Sequence, residues 1–278
     1  MSATQTLRPL SEMPEEARRG IRGVLADIDD TLSTHGRLSA EAYAAMERLS
    51  KSGRLVIPIT GRPAGWCDHI ARMWPVDAVV GENGALYMRY DRDARRMLRR
   101  FADNESARRT HRASLAAIGK KIVAAVPGCA LASDQRYRET DLAIDFREDV
   151  APLAPEAVER IVALMQAEGM TAKVSSIHVN GWFGRYDKLT MTRTLLGEAF
   201  GIDLDTERER FVFAGDSPND APMFAFFPNA VGVANVRDFA GRIASLPTYV
   251  TQREAGAGFA ELANFLLGSE GTEGDVRP

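Results

Sequence analysis

Cysteine is scarce: Cys67 and Cys129 are the only two in 278 residues, far apart and in no metal-like spacing. That excludes a disulfide framework and a cysteine zinc site. No apolar run is long enough to span a bilayer, and the opening MSATQTLRPLSEMPEEARRG has no stretch resembling a signal peptide. Charge of one sign is missing as well. Thirty-five basic against 38 acidic residues leave a net charge of −3, with no global basic field for nucleic acid or an anionic membrane. Also absent are a Walker-type phosphate loop, HExxH, GxSxG and a GxGxxG after a strand. What is present is ordinary globular composition, 45% hydrophobic and 26% charged, which rules out a disordered or fibrous chain. A soluble protein of the cytoplasm is expected.

The chain reads as three segments. In the first, the short apolar runs Gly23 to Asp29, Arg54 to Thr60 and Asp77 to Gly81 have the shape of buried strands. Helical stretches lie between them, from Ser39 to Ser52 with Ser39 as N-cap and from Pro63 to Met73. This β-α-β-α-β order predicts a parallel, doubly wound α/β sheet. The same rhythm returns after Asp187, with a helix from Lys188 to Phe200, the run Phe211 to Gly215, a short helix from about Asn219, the run Ala230 to Ala234 and a closing helix to Leu267. Between them, residues 86–186 break the alternation with hairpin-like strands, a long polar helix near Glu105 to Val126 and further strands, which suggests an inserted α+β domain. The expected division is therefore core 1–85, insert 86–186 and core 187–278, with the tail GSEGTEGDVRP fraying.

Chemistry concentrates where strands end. In a doubly wound sheet ligands bind at the carboxyl ends of strands, and D27-I28-D29-D30-T31 stands at the end of the first run. Two carboxylates so close repel unless a cation neutralises them or one holds a proton. Asp27 and Asp29 thus form a hard oxygen site for magnesium or a nucleophile beside an acid, unless they merely end a strand. G215-D216-S217-P218-N219-D220 follows another predicted strand, and Asp216 and Asp220 would bring further carboxylates to the same edge. At T60-G61-R62, a hydroxyl and backbone N–H groups leading into a helix suit an anion. Lys188 opens a helix, where the dipole disfavours a cation, so it is either a solvated group or one drawn in by anions.

D27-x-D29-x-T31, T60-G61-R62, Lys188 and G215-D216-S217-P218-N219-D220, in that order, resemble the four motifs of the haloacid dehalogenase superfamily. The insert resembles its C2-type cap, and TGR with E82-N83-G84-A85 resembles subclass IIB, which includes Cof-like sugar phosphatases and sucrose-phosphate and mannosyl-phosphoglycerate phosphatases. The resemblance implies a Rossmann-type core. It implies that Asp27 is the nucleophile that becomes an aspartyl-phosphate and Asp29 the general acid and base. It further implies a Mg2+ ion held by Asp27, the Asp29 carbonyl, Asp216 and Asp220. Thr60, Gly61, Lys188 and Asn219 would serve the phosphoryl group. Asn83 is expected to contact substrate, and Arg62 either to contact substrate or to serve structurally.

The insert should choose the substrate. Between Arg89 and Arg112 nine arginines face four acids, a run that reads as a solvated face rather than a polymer-binding one. His178 and Asn180 are better candidates, since they fall two apart on one predicted strand and so share a face. The expected activity is magnesium-dependent hydrolysis of a small phosphorylated metabolite, a phosphosugar foremost, with no nucleic-acid or membrane partner. The alternatives are a phosphosugar mutase on the same scaffold, a non-catalytic phosphoaspartate signalling protein and a nucleic-acid-binding protein.

Overall fold

The computed structural model describes residues 7–268. Most of the tail expected to fray, from Ser269 on, lies outside them. The chain folds as two compact units. The first comprises the described residues up to Ile59, Met73–Ala78 and those from Leu196 on; the second comprises Thr60–Arg72 and Val79–Leu195.

The first unit is built on a six-stranded parallel sheet, in the order Arg8–Pro9, Tyr249–Val250, Val231–Gly232, Phe211–Gly215, Gly23–Ala26, Leu55–Pro58. The central strands are buried on both faces, as their unbroken apolar runs require. Their register pairs Val24 with Val212, Leu25 with Phe213 and Ala26 with Ala214. Gly23 opposes Phe211, whose ring would collide with any Cβ there. Helix Ala40–Lys51 packs on helix Ala255–Leu267. The Ser39 hydroxyl caps the former by accepting from Ala42 N, in line with the sequence expectation. The chain leaves Gly23–Ala26 toward Leu55–Pro58 on one side and leaves Phe211–Gly215 toward Val231–Gly232 on the other. The switch point therefore lies between these two central strands, whose carboxyl ends carry Asp27 and Asp216.

One strand departs from expectation. The third apolar run does not join the parallel sheet. Its strand, Val79–Gly81, pairs antiparallel with Leu86–Asp91, which pairs with Arg96–Phe101. Three pairs of residues are too little to fix a partner by pattern alone, and the tight turn at 82–84 returns the chain alongside instead.

The second unit also holds a four-stranded antiparallel sheet, in the order Thr171–Val174, His178–Trp182, Asp141–Asp145, Ala130–Leu131. Leu142, Ile144 and Val179 point to one face and pack with Ile118 and Ile122 of helix Glu105–Ala125 and Ile161 and Met165 of helix Pro155–Ala167. The period of two sends Asp141, Asp145, His178, Asn180 and Trp182 to the other face. All five are buried there although four are polar. A polar face that is covered rather than wet must be hydrogen-bonded throughout or kept for a ligand.

Candidate active site

The first unit carries a carboxylate cluster. Asp27 continues the strand Gly23–Ala26 and donates its backbone N–H to Ala214 O at 2.9 Å, which places it beside the end of Phe211–Gly215. Asp27, Asp216 and Asp220 are buried, and one oxygen from each lies within 4.8 Å of the others. Asp220 folds back over the strand end and accepts from the backbone N–H groups of Asp216 at 3.1 Å and Ser217 at 3.3 Å. Only glycine at 215 leaves room, because a Cβ there would stand 2.5 Å from the Asp220 carboxylate. Thr31 Oγ1 donates to Asp216 Oδ1 at 3.1 Å, and Asn235 Nδ2 donates to Asp30 O at 3.0 Å and Asp216 Oδ2 at 3.4 Å. Asn219 is buried and accepts from Ser217 Oγ at 2.8 Å.

Burial, then the charges of Asp220, Asp27 and Asp30, push the Asp216 carboxyl well above the ordinary carboxylate range, while Thr31 pulls the other way. Three hard oxygen donors that repel one another so strongly fit a small divalent cation such as magnesium. Asp29 stands on the turn after Asp27 and is half-buried, outside that group of three.

The second unit gathers the other sequence-derived residues. Thr60, fully buried, donates its N–H to Val80 O at 2.8 Å, accepts at its carbonyl from Asn83 N at 3.0 Å, and accepts at Oγ1 from Arg62 N at 3.0 Å. Asn83 packs on Gly61, and a Cβ on Gly84 would collide with the Asp187 carbonyl beside Lys188. Three stretches far apart in sequence, 60–62, 82–84 and 187–188, thus meet. Lys188 is buried at the first turn of helix Lys188–Phe200, whose N-terminus Asp187 caps by accepting from Thr190 N at 2.7 Å.

Arg62 has a destination the sequence left open. Its guanidinium donates to Glu148 Oε1 at 2.6 Å, lies 3.4 Å from Asp134 Oδ2 and stacks 4.5 Å over the Trp66 ring. His178 Nε2 lies 2.9 Å from the same Glu148 carboxylate. Partial burial pushes the Glu148 carboxyl up, but hydrogen bonds from His178 and Arg62 outweigh it and hold it at about 2. Asn180 Nδ2 donates to Asp141 Oδ2 at 3.1 Å, so the expectation that His178 and Asn180 share a face holds. Arg138, its side chain wholly buried, grips Asp141 at 3.0 Å and Asp134 at 3.3 Å, and donates to the Gly61 carbonyl at 2.8 Å. The polar face is therefore an ion network closing on the Thr60–Arg62 loop.

Glu82, Asp134, Arg138, Asp141 and Glu148 were not among the residues picked from sequence, apart from Glu82's place in ENGA. No spacing signals them, since the contacts that tie them to the 60–64 and 82–84 segments, such as Glu82 with Glu139, Asp134 and Glu148 with Arg62 and Arg138 with Gly61, span 57 to 86 residues. The arginine-rich stretch is largely exposed and partly paired, with Arg99 on Asp68 at 2.6 Å and Arg112 on Glu139.

The haloacid dehalogenase-like hydrolase family matches residues 24–118. No curated protein matches the chain. Among solved structures, protein 0175 of Thermoplasma acidophilum superposes with a TM-score of 0.67 at 19% identity, covering 89% of this chain and 98% of that one. A HAD/COF-like hydrolase from Plasmodium vivax gives 0.65 at 19% identity, covering 91% and 98%. The sucrose-phosphatase of Synechocystis gives 0.60 at 15% identity, covering 89% and 98%.

Proposed function

We propose that the chain, which has the haloacid dehalogenase fold over most of its length and matches the haloacid dehalogenase-like hydrolase family over residues 24–118, is a magnesium-dependent phosphatase acting on a small phosphate monoester, foremost a phosphosugar. The observation that carries this reading is the trio Asp27, Asp216 and Asp220, buried together at adjacent strand ends. A bound magnesium ion would be held by these carboxylates and the Asp29 carbonyl, and would offset both their mutual repulsion and the negative charge of the phosphoryl group.

Asp27 attacks phosphorus in line, and the bond to the leaving oxygen breaks as the aspartyl-phosphate forms. Asp29 gives its proton to that oxygen, then takes one from the water that hydrolyses the acyl phosphate. Thr60 Oγ1 and the Lys188 ammonium hold non-bridging oxygens, where charge must be stabilised during transfer. Asn219 orients the phosphoryl group. Residues 86–186 act as a specificity cap: His178 and Asn180, each anchored through one polar atom, present the others, Nδ1 and Oδ1, to the leaving group. Both cysteines are buried and free of disulfides, which suits the cytoplasm.

The test is phosphate release from an aryl phosphate with and without magnesium, in wild type and Asp27→Asn. Release that needs magnesium, with a covalent phosphoenzyme seen by mass in wild type only, is expected. Full activity in a metal-stripped sample or in Asp27→Asn overturns the reading. Isomer formation from a sugar phosphate without phosphate release would select the mutase.

A further inference from the structure

The turn Glu82–Gly84 is unusual in its backbone. Glu82, Asn83 and Gly84 take positive φ values of 45°, 55° and 101° in succession, and the first two are not glycine. Such strain persists only where the surroundings impose it, and it clusters at functional sites. Here the surroundings are specific. Glu82 Oε1 accepts from Ala64 N and Glu139 N, both at 2.8 Å, and Oε2 accepts from Thr140 N at 2.7 Å and Thr140 Oγ1 at 2.5 Å. Main-chain bonds from Glu82 N to Arg62 O and from Asn83 N to Thr60 O, both at 3.0 Å, complete the hold.

What all this holding presents is the Asn83 carboxamide. The residue is 3% exposed, and among the described residues its Nδ2 has no hydrogen-bond partner. A buried donor left unsatisfied in so constrained a turn is costly unless something outside the chain accepts from it. Nδ2 lies 3.1 Å from where a Cβ on Gly61 would stand, and a Cβ on Gly84 would stand 2.7 Å from Lys188 N. The amide therefore lies against the stretch that carries Thr60, while the next residue of the same turn, Gly84, abuts the stretch that carries Lys188, and glycines at 61 and 84 admit both approaches.

We infer that Asn83 Nδ2 is a ligand of the phosphoryl group itself, donating to a non-bridging oxygen, with Glu82 as the positioning residue that holds the strained turn. This rests on the phosphatase reading and assigns Asn83 to the phosphate common to all substrates rather than to a leaving-group hydroxyl. The neighbours favour an anion, because the stretches that meet the turn carry a buried hydroxyl, Thr60, and a buried lysine, Lys188, both able to donate.

The experiment compares wild type, Asn83→Ala and Asn83→Asp as full-length protein with magnesium. It measures the inhibition constant of inorganic phosphate, kcat/KM on an aryl phosphate and on a hexose phosphate, and the melting temperature. Asn83→Ala should weaken phosphate about tenfold and lower kcat/KM equally on both substrates. Its melting temperature should change little, because removing the unpaired donor offsets the cost of alanine at a left-handed φ. Asn83→Asp, which sets a carboxylate against the phosphate, should lose more than the alanine variant. Unchanged phosphate inhibition in Asn83→Ala, or a loss confined to the hexose phosphate, overturns the assignment. Phosphate affinity and melting temperature that fall together in Asn83→Ala but are both kept in Asn83→Asp, which tolerates the left-handed φ, also overturn it, in favour of a structural role. A wild type that neither binds phosphate nor hydrolyses either substrate overturns the phosphatase reading, and the assignment with it.

Discussion

Replacing Glu148 by glutamine takes the charge from a carboxylate that Arg62 and His178 share, at 2.6 Å and 2.9 Å. The Arg62 side chain is 5% exposed and that of Glu148 is 24% exposed, so the pair is buried at one end and solvated at the other. Breaking a fully buried pair costs about 3–5 kcal/mol. Solvent at Glu148, the second carboxylate of Asp134 at 3.4 Å and the Trp66 ring all reduce that. Glutamine also keeps an oxygen able to accept from Arg62. A loss of about 2 kcal/mol follows, or roughly 4–8 °C in melting temperature for a chain of this size. The pH dependence gives a second handle. The Glu148 carboxyl is held at about 2 against an ordinary 4.5, so its contribution is complete above about pH 4.5 and disappears as the pH falls toward 2. Thermal unfolding of wild type and Glu148→Gln at pH 7 and at several points between 5 and 3 should show a gap that narrows in acid. Equal melting at pH 7, or a gap that stays constant down to pH 3, would falsify the account of the network. A double variant with Arg62→Met should lose less than the two single losses combined.

Asp29→Asn should slow hydrolysis of poor leaving groups about 10²–10⁴-fold and good ones much less; equal slowing on an aryl phosphate and an alkyl phosphate removes Asp29 from the acid/base role. Asp216→Asn should raise the metal-free melting temperature, because it relieves repulsion among buried carboxylates, and should abolish stabilisation by added magnesium. A variant that magnesium still stabilises as it does wild type counts against the metal site. His178→Ala and Asn180→Ala should each lose roughly 5- to 150-fold in kcat/KM on the preferred substrate and little on an aryl phosphate, and equal losses on both would point to a role within the ion network alone. Phe213→Ala, at a fully buried ring packed on Phe224 and Phe227, should cost about 3–5 kcal/mol in denaturant unfolding; a loss under about 1 kcal/mol would mean that the sheet core is not packed as described.

The parallel sheet and the acids at its switch point were readable from the chain alone, because both are local signals. Gly23–Ala26 and Phe211–Gly215 are short apolar runs closed by acids, and burial on both faces needs nothing more elaborate than that pattern. The Ser39 cap and the shared face of His178 and Asn180 follow in the same way, from a hydroxyl three residues before its donor and from the period of two. Tertiary structure alone decided the partner of Val79–Gly81, since a three-residue strand pairs wherever the following turn sends it. It alone decided that Arg62 should reach Glu148, that Arg138 should hold the Gly61 carbonyl, and that Glu82 should tie down a strained turn beneath Asn83. Those contacts join residues 57 to 86 apart, and a charged side chain carries no mark of which distant charge will meet it when water is excluded. Their geometry comes into being only as the polar face of the four-stranded sheet is covered.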